Sequence, residues 1–322
     1  MTAARPRRAH LTARFDASKP AALDELEPLL YVRPADGLPA HVRAASALRR
    51  FENRLIVVQD DALAFAAREE SGAVDSVLLP SHASGRRVFD DAIGNKHEKL
   101  DLEACVTLPD GRLVAFGSGS APARERLVVW SGRDEPVVVA AAPFYRELRA
   151  AVTRGGARLN IEGAVVRGAR LELLHRGNDA RESSANAIAE VDCDAFAAWL
   201  AGASSRPRVA RVTTVDVGEV GGVPFGFTDA VALDDERLVV LACAEDTACA
   251  VSDGAVLGCR VGLLDGTQLT TADVHDSAGR TLLKLEGIER RPNSSTEFDV
   301  VADVDQPSVP AQIGRLVWDW RR

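Results

Sequence analysis

Five residues able to offer oxygen to a cation recur in one local setting along the 322-residue chain: Ser46, Glu103, Glu162, Asp229 and Glu286. A small residue follows each of them, namely Ala47, Ala104, Gly163, Ala230 and Gly287. A strand-like run comes next in every case: Arg54-Leu55-Ile56-Val57, Arg112-Leu113-Val114, Arg170-Leu171-Glu172-Leu173, Arg237-Leu238-Val239 and Phe298-Asp299-Val300. The key residues are 57, 59, 67 and 57 positions apart, so the chain is periodic. If these side chains meet, four carboxylates and one hydroxyl share a narrow space. Like charges raise one another's pKa and burial penalises each, and a hard divalent cation relieves that conflict. Ca2+ accepts about 6–8 oxygens in flexible geometry and suits such a set better than Mg2+, whose octahedron is tighter. The competing reading is that the acids cap backbone amides or line a water-filled tunnel and hold no ion.

The elements that must position these residues are strands. The first repeat shows four apolar, strand-like segments, Val42–Leu48, Arg54–Gln59, Ala62–Ala67 and Val74–Leu79, and the next three repeats follow suit. Four short antiparallel strands per repeat is the unit of a propeller blade, and such repeats stack into a ring. The expected fold is therefore all-β: a five-bladed β-propeller with four-stranded blades. The fifth repeat supplies only Leu285–Glu289, Glu297–Ala302 and Gln312–Trp318. His10–Asp16 is expected to complete it, so that an N-terminal strand joining the C-terminal blade closes the ring and leaves no open edge. Residues 1–9 read as a disordered basic tail and residues 10–322 as a single propeller domain. Ala17–His41, punctuated by Pro20, Pro28, Pro34 and Pro39, reads as a connector. Helical spacing marks two short helices, at Phe144–Val152 and within Asp194–Gly202.

Bulk composition narrows the partners. A formal net charge of −8 offers no general attraction to phosphate backbones or anionic lipid, so neither nucleic acid nor membrane is expected as a partner. No apolar run approaches the ~20 residues of a membrane span. The basic start, Met1 to Arg8, lacks a following apolar segment, and a cytoplasmic location is expected. Cys105, Cys193, Cys243, Cys249 and Cys259 contain no Cys-x-x-Cys pair and lie mostly in apolar runs, which reads as buried free thiols.

Loops after the second strand of each blade should gather at one mouth of the channel. There, a carboxylate among Asp60, Asp61, Glu245 and Asp246 could serve as general base for an attacking water. Arg176, Asn178 and Lys99 could hold a small anionic ligand. Ser118, Ser120, Asp303 and Asp305 fall in the same set of loops. The competing reading is that the acids and amides among them make ordinary Asx-type turns after strands and that Lys99 belongs to a solvated loop.

The order Ser46, Glu103, Glu162, then acid or hydroxyl, then Glu286 on five successive inner strands resembles the calcium-activated nucleotidase (apyrase) family. Short matches accompany it at Arg54–Asp61, Leu174-His175-Arg176, Phe225-Gly226-Phe227-Thr228 and Lys284-Leu285-Glu286-Gly287-Ile288-Glu289. The last piece is also similar to the Glu-Gly-Ile pattern of phytase-like and esterase-like propellers. The resemblance implies a five-bladed propeller with Ca2+ on its axis and hydrolysis of a phosphoanhydride or phosphoester. Two departures are visible: Ala62 follows Asp61 where the family has arginine, and Asp229 stands where it has serine. A non-catalytic propeller that binds a small molecule or protein around a structural ion or acidic ring is the alternative.

Overall fold

The apolar runs after each recurring acid form strands, and the strands form five antiparallel meanders. The computed structural model describes residues 5–153, 157–177, 185–247 and 254–321. Sheet I contains Ala45–Phe51, Arg54–Gln59, Ala64–Arg68 and Val74–Leu78, and sheet II Leu102–Thr107, Leu113–Gly117, Arg126–Trp130 and Val137–Ala140. Sheet III begins with Ile161–Arg167, Arg170–His175, Asn186–Asp192 and Val209–Asp216. Sheet IV runs Gly226–Ala232, Arg237–Asp246, Ala255–Asp265 and Gln268–Asp276, and sheet V Lys284–Arg290, Glu297–Asp303 and Gln312–Val317. The first strand of each sheet packs against the first strand of the next, and that of sheet V returns to that of sheet I. The architecture is thus a propeller-like ring with the first strands innermost.

Burial explains why the ring closes. An apolar cluster lies between every neighbouring pair of sheets, including Leu48, Val57, Val301 and Ile313 between sheets V and I. Each such side chain contributes roughly 1.5–3 kcal/mol when removed from water, so a ring left open would expose a full cluster. Both expected helices are present. Ala142–Val152 buries Phe144, Tyr145, Leu148, Ala151 and Val152 into the cluster between sheets II and III. Cys193–Leu200 starts at Asp192, whose carboxylate accepts from the amide of Ala195 at 2.7 Å. Among the described residues no helix is long and apolar enough to cross a membrane.

Closure differs from the expectation. Arg7–Thr12 lies parallel to Val209–Asp216 as a fifth strand of sheet III, and Arg14–Phe15 adds to sheet IV. Neither segment joins the last sheet, and strands do not number four throughout. The strand that completes sheet V is Ala21–Pro28, antiparallel to Gln312–Val317, and its start also touches Gln268–Asp276, so sheets IV and V form one continuous ten-stranded sheet. Pro20 and Pro28 bracket this strand instead of interrupting it, which leaves the intervening amides free to pair, while Ala21 and Leu23 alternate into the core. Arg7 to Ala9, expected in the basic tail, belong to a strand, and Arg8 donates to the carbonyl of Ala151 at 2.7 Å.

The cysteine expectation is corrected in part. Cys243 and Cys259 face each other across neighbouring strands of sheet IV and form a disulfide. Cys105 and Cys193 are buried free thiols, and Cys249 lies outside the described residues.

One irregularity repeats in all five inner strands. The ladder to the second strand skips one residue in each, and the residues left without an opposite partner are Ser46, Glu103, Glu162, Thr228 and Glu286. A bulge of this kind bends the strand and re-aims the extra side chain. In four of the five a small residue follows, and at Gly287 the cause is steric: a Cβ there would lie 2.7 Å from the Leu48 amide nitrogen and 2.8 Å from the Ala47 carbonyl carbon. The inner strands of sheets V and I pass too close there for a larger group. Gly287→Ala is therefore expected to lower stability by about 1–3 kcal/mol, read as a lower midpoint of urea unfolding with an unchanged slope; an unchanged midpoint would mean that the strands can move apart.

Candidate functional site

Ser46, Glu103, Glu162 and Glu286, carried by the bulges of sheets I, II, III and V, line one cavity of about 400 Å3 at the end of the axis. Residues two positions earlier line it too: Ala44, Asp101, Asn160 and Lys284. At the corresponding place in sheet IV stands Gly226, where a Cβ would sit 2.7 Å from Arg176 Nε, so the missing side chain makes room for that guanidinium. Second-strand ends and their loops add Asp60, Asp61, Arg176, Glu245, Asp303 and Asp305.

Asp229 is not in this ring. The bulge of sheet IV falls on Thr228, which places Asp229 one residue on, at the position occupied by Ala47, Ala104, Gly163 and Gly287 in the other sheets. Its fully buried carboxylate accepts from Arg49 at 2.8 and 3.0 Å and from the amide of Ile288 at 3.0 Å. The same guanidinium donates to the carbonyls of Leu48, Ala164, Ala230 and Ile288, on the inner strands of sheets I, III, IV and V, at 2.5–2.9 Å. The axis is filled at that level, so the cavity opens at one end only.

Charge in the cavity is one-sided. Its lining carries eleven carboxylates, including Asp90 and Asp91, against the basic groups of Lys96, Lys99, Arg124, Arg176 and Lys284. Lys99 bonds Asp60 and lies 2.7 Å from Asp101, which also meets Arg124 at 2.9 Å. Arg176 holds Glu245 at 2.8 Å and lies 3.8 Å from Glu162, whose other contact is Asn160 Nδ2 at 2.5 Å. Lys284 holds Glu286 at 2.8 Å. Arg43, just outside, holds Asp61 at 2.6 Å. Asp60, Asp101 and Glu103 bring one oxygen each within 4.8 Å of the others, a grouping able to hold a metal ion. Six buried side-chain oxygens find no hydrogen-bond partner among the described residues: Asp60 Oδ1, Asp61 Oδ1 and Glu286 Oε2 in the cavity lining, and Thr107 Oγ1, Thr228 Oγ1 and Thr271 Oγ1 outside it.

The surplus of negative charge shows in the proton affinities. Burial raises Glu103 well above the ordinary carboxyl range, with Asp60, Asp101 and Glu162 adding to the effect and Lys99 opposing it. Burial lifts Glu286 to about 8 in spite of Lys284. Asp303 reaches about 8 through burial and the nearby Asp305, and Asp61 about 6 through burial and Asp60. Burial acts the same way on Glu245, but Lys284 and Arg176 outweigh it and hold this carboxyl below its usual value.

Several residues were not legible as site residues one at a time. Asp101 and Lys284 lie two positions before Glu103 and Glu286, and the period of two along a strand is the signal that marks them. Arg49 and Thr228 carried no such mark. Of the other sequence candidates, Asp246 is exposed and off the cavity, so it is removed from the possible bases. Ser118 and Ser120 stand behind the lining, where Ser118 bonds Asp101 and Ser120 accepts from Arg124 at 2.8 Å. Asn178 lies outside the described residues.

A protein-family profile matches residues 41–317, most of the chain. The chain belongs to DUF6929, a family of unknown function. Among curated proteins none matches the sequence. Solved structures similar to this DUF6929 chain include a glutaminyl cyclase from Myxococcus xanthus, at 13% identity and TM-score 0.46, covering 98% of this chain and 100% of that one. A gluconolactonase from Xanthomonas campestris is similar at 12% identity and TM-score 0.44, covering 94% and 99%. The mannose phosphorylase MPT-4 from Leishmania mexicana is similar at 13% identity and TM-score 0.45, covering 91% and 88%. Likeness at this level says nothing about activity, and it lends no support to the apyrase resemblance.

Two outcomes follow from the geometry. Arg49→Met leaves a buried, unpaired Asp229 and is expected to cost about 3–5 kcal/mol, whereas Arg49→Met combined with Asp229→Leu recovers much of it; additive losses in urea unfolding would contradict the pairing. Asp303 keeps its proton in the folded state at pH values where the unfolded chain, with an ordinary value of 3.8, has released it. Its contribution to stability is therefore full at low pH and declines as pH rises toward 8. In chelator, the urea midpoint is expected to be higher at about pH 5.5 than at about pH 8.5; the reverse order would mean that the acidic cluster is already compensated.

Proposed function

We propose that the protein binds a divalent cation, Ca2+ ahead of Mg2+, on the axis of the ring and uses that site to bind and hydrolyse a small phosphorylated anion. One observation carries the reading. Five bulged residues supply only hard oxygens, and two of those oxygens, Thr228 Oγ1 and Glu286 Oε2, are buried without a hydrogen-bond partner among the described residues. A cation of this kind is held by oxygen ligands, and the excess of carboxylates in the cavity favours it electrostatically. The register also changes the ligand set to hydroxyl, carboxylate, carboxylate, hydroxyl, carboxylate. Thr228 thus restores a hydroxyl at the position where Asp229 departed from the calcium-activated nucleotidase pattern.

Ser46, Glu103, Glu162, Thr228 and Glu286 would hold the ion, which when bound polarises a phosphoryl oxygen of the ligand. Arg176 and Lys284, with Lys99 and Arg124, face the cavity as donors to the remaining ligand oxygens. Asp61 is the best placed base: its value of about 6 suits proton transfer near neutrality, and its Oδ1 lacks a partner. It takes the proton of a water whose oxygen bonds to phosphorus as the bond to the leaving group breaks.

A second reading rests on the pairing of every candidate base. Asp60 is held by Lys99, Asp61 by Arg43 and Glu245 by Arg176, an arrangement suited to a cavity that binds a polar ligand without reacting with it.

Calcium at one hundred times its dissociation constant is expected to stabilise the fold by about 2.7 kcal/mol, reversibly with chelator. Unchanged melting together with no metal in elemental analysis would remove the cation from the account. Turnover across nucleotides, phytate and simple phosphoesters is expected to be lost in Asp61→Asn and Glu162→Gln. Calcium binding without turnover of any of them would favour the second reading.

A further inference from the structure

Lys284 sits two residues before Glu286 on the innermost strand of sheet V, and its side chain is 12% exposed. Its ammonium lies 2.8 Å from Glu286 Oε1, 3.7 Å from Glu245 Oε2 and 3.8 Å from Asp305 Oδ1. A single positive charge within 4 Å of three carboxylates has the surroundings of a bound cation. Only the contact with Glu286 is short enough to be a hydrogen bond. Glu286 uses one oxygen for it, while Oε2 stays buried and unpartnered among the described residues. Arg176 differs from Lys284 in this respect, because its short bond goes to Glu245, outside the ring of bulged residues, and Glu162 is 3.8 Å away.

We propose that the Lys284 ammonium stands in for the divalent cation when the cation is absent, and that cation binding to Glu286 releases Lys284 to bind an oxyanion of the phosphoryl class. The inference rests on the axial cation site proposed above and adds a coupling between two ligands. Two positive groups cannot both draw on the Glu286 carboxylate without repelling each other at short range, so the more highly charged one displaces the other. Lys284 then retains only its longer contacts with Glu245 and Asp305, and its three N–H donors face a cavity whose negative charge the ion has reduced. A phosphoryl dianion is repelled by the cation-free cavity and gains both a charge-assisted donor and a weaker opposing field once the ion is in place. Such coupling is reciprocal: whatever factor the cation adds to anion affinity, the anion adds to cation affinity.

The test is a linkage measurement on the full chain by titration calorimetry, with CaCl2 and phenyl phosphate as the two probes and a correction for the complex they form in solution. In the wild-type protein phenyl phosphate is expected to bind about tenfold or more tightly with saturating calcium than in chelator, and calcium affinity should rise by the same factor with phenyl phosphate present. Lys284→Met is expected to bind calcium alone about tenfold more tightly than wild type and to lose the coupling. Circular dichroism checks that the variant is folded, and the wild-type linkage decides by itself if it is not. Calcium binding to wild type with no effect on phenyl phosphate overturns the coupling and leaves the axial site standing, as does a folded Lys284→Met that binds calcium no more tightly. No calcium binding to wild type at all overturns the axial site and the coupling together.

Discussion

Arg49 reaches from sheet I to Asp229 on sheet IV and to backbone carbonyls of sheets I, III, IV and V. A guanidinium and a carboxylate taken out of water cost several kcal/mol each, and the cost is recovered only when nearly every donor and acceptor is used. Here nearly all are. Most of the ring therefore shares one hub, and the inner strands are fixed relative to one another before any ligand arrives. Ser46, Glu162 and Glu286 line the cavity from strands so fixed, which is the rigidity a precise cation site requires.

Above that balanced level the charges are out of balance. Lys99, Arg176 and Lys284 compensate part of the carboxylate excess, and what remains appears as the raised proton affinity of Glu103, Glu286 and Asp303. The mouth thus differs from the hub in kind. Arg49 and Asp229 satisfy each other and can be read as structure, whereas the ring of Glu103, Glu162 and Glu286 stores an unfavourable field that a guest can relieve. Functional sites are where such stored cost is tolerated.

Much of this was legible in the sequence because a ring repeats. The period, the four recurring residues Ser46, Glu103, Glu162 and Glu286, most strands and both helices follow from spacing alone. The fourth repeat misled by one residue: an acid was the salient side chain at Asp229, but the bulge selected Thr228, and bulges depend on a ladder the sequence does not display. Ala21–Pro28 was hidden by prolines that in fact mark its ends. The Cys243–Cys259 disulfide joins positions whose pairing is set by strand register, and Arg49 acts through carbonyls that every residue possesses, so neither leaves a trace in residue type.

Central to the proposed function is a cation on the axis, at the cavity that Ser46, Glu103, Glu162 and Glu286 line. The most direct measurement is anomalous diffraction from a crystal grown with Mn2+ or Tb3+ as calcium substitutes. The account expects one peak on the axis, at about 2.3–2.6 Å from oxygens of Ser46, Glu103, Glu162, Thr228 and Glu286, with Lys284 withdrawn from Glu286. An anomalous peak confined to the surface, or an axis with none while Lys284 still bonds Glu286, would contradict it.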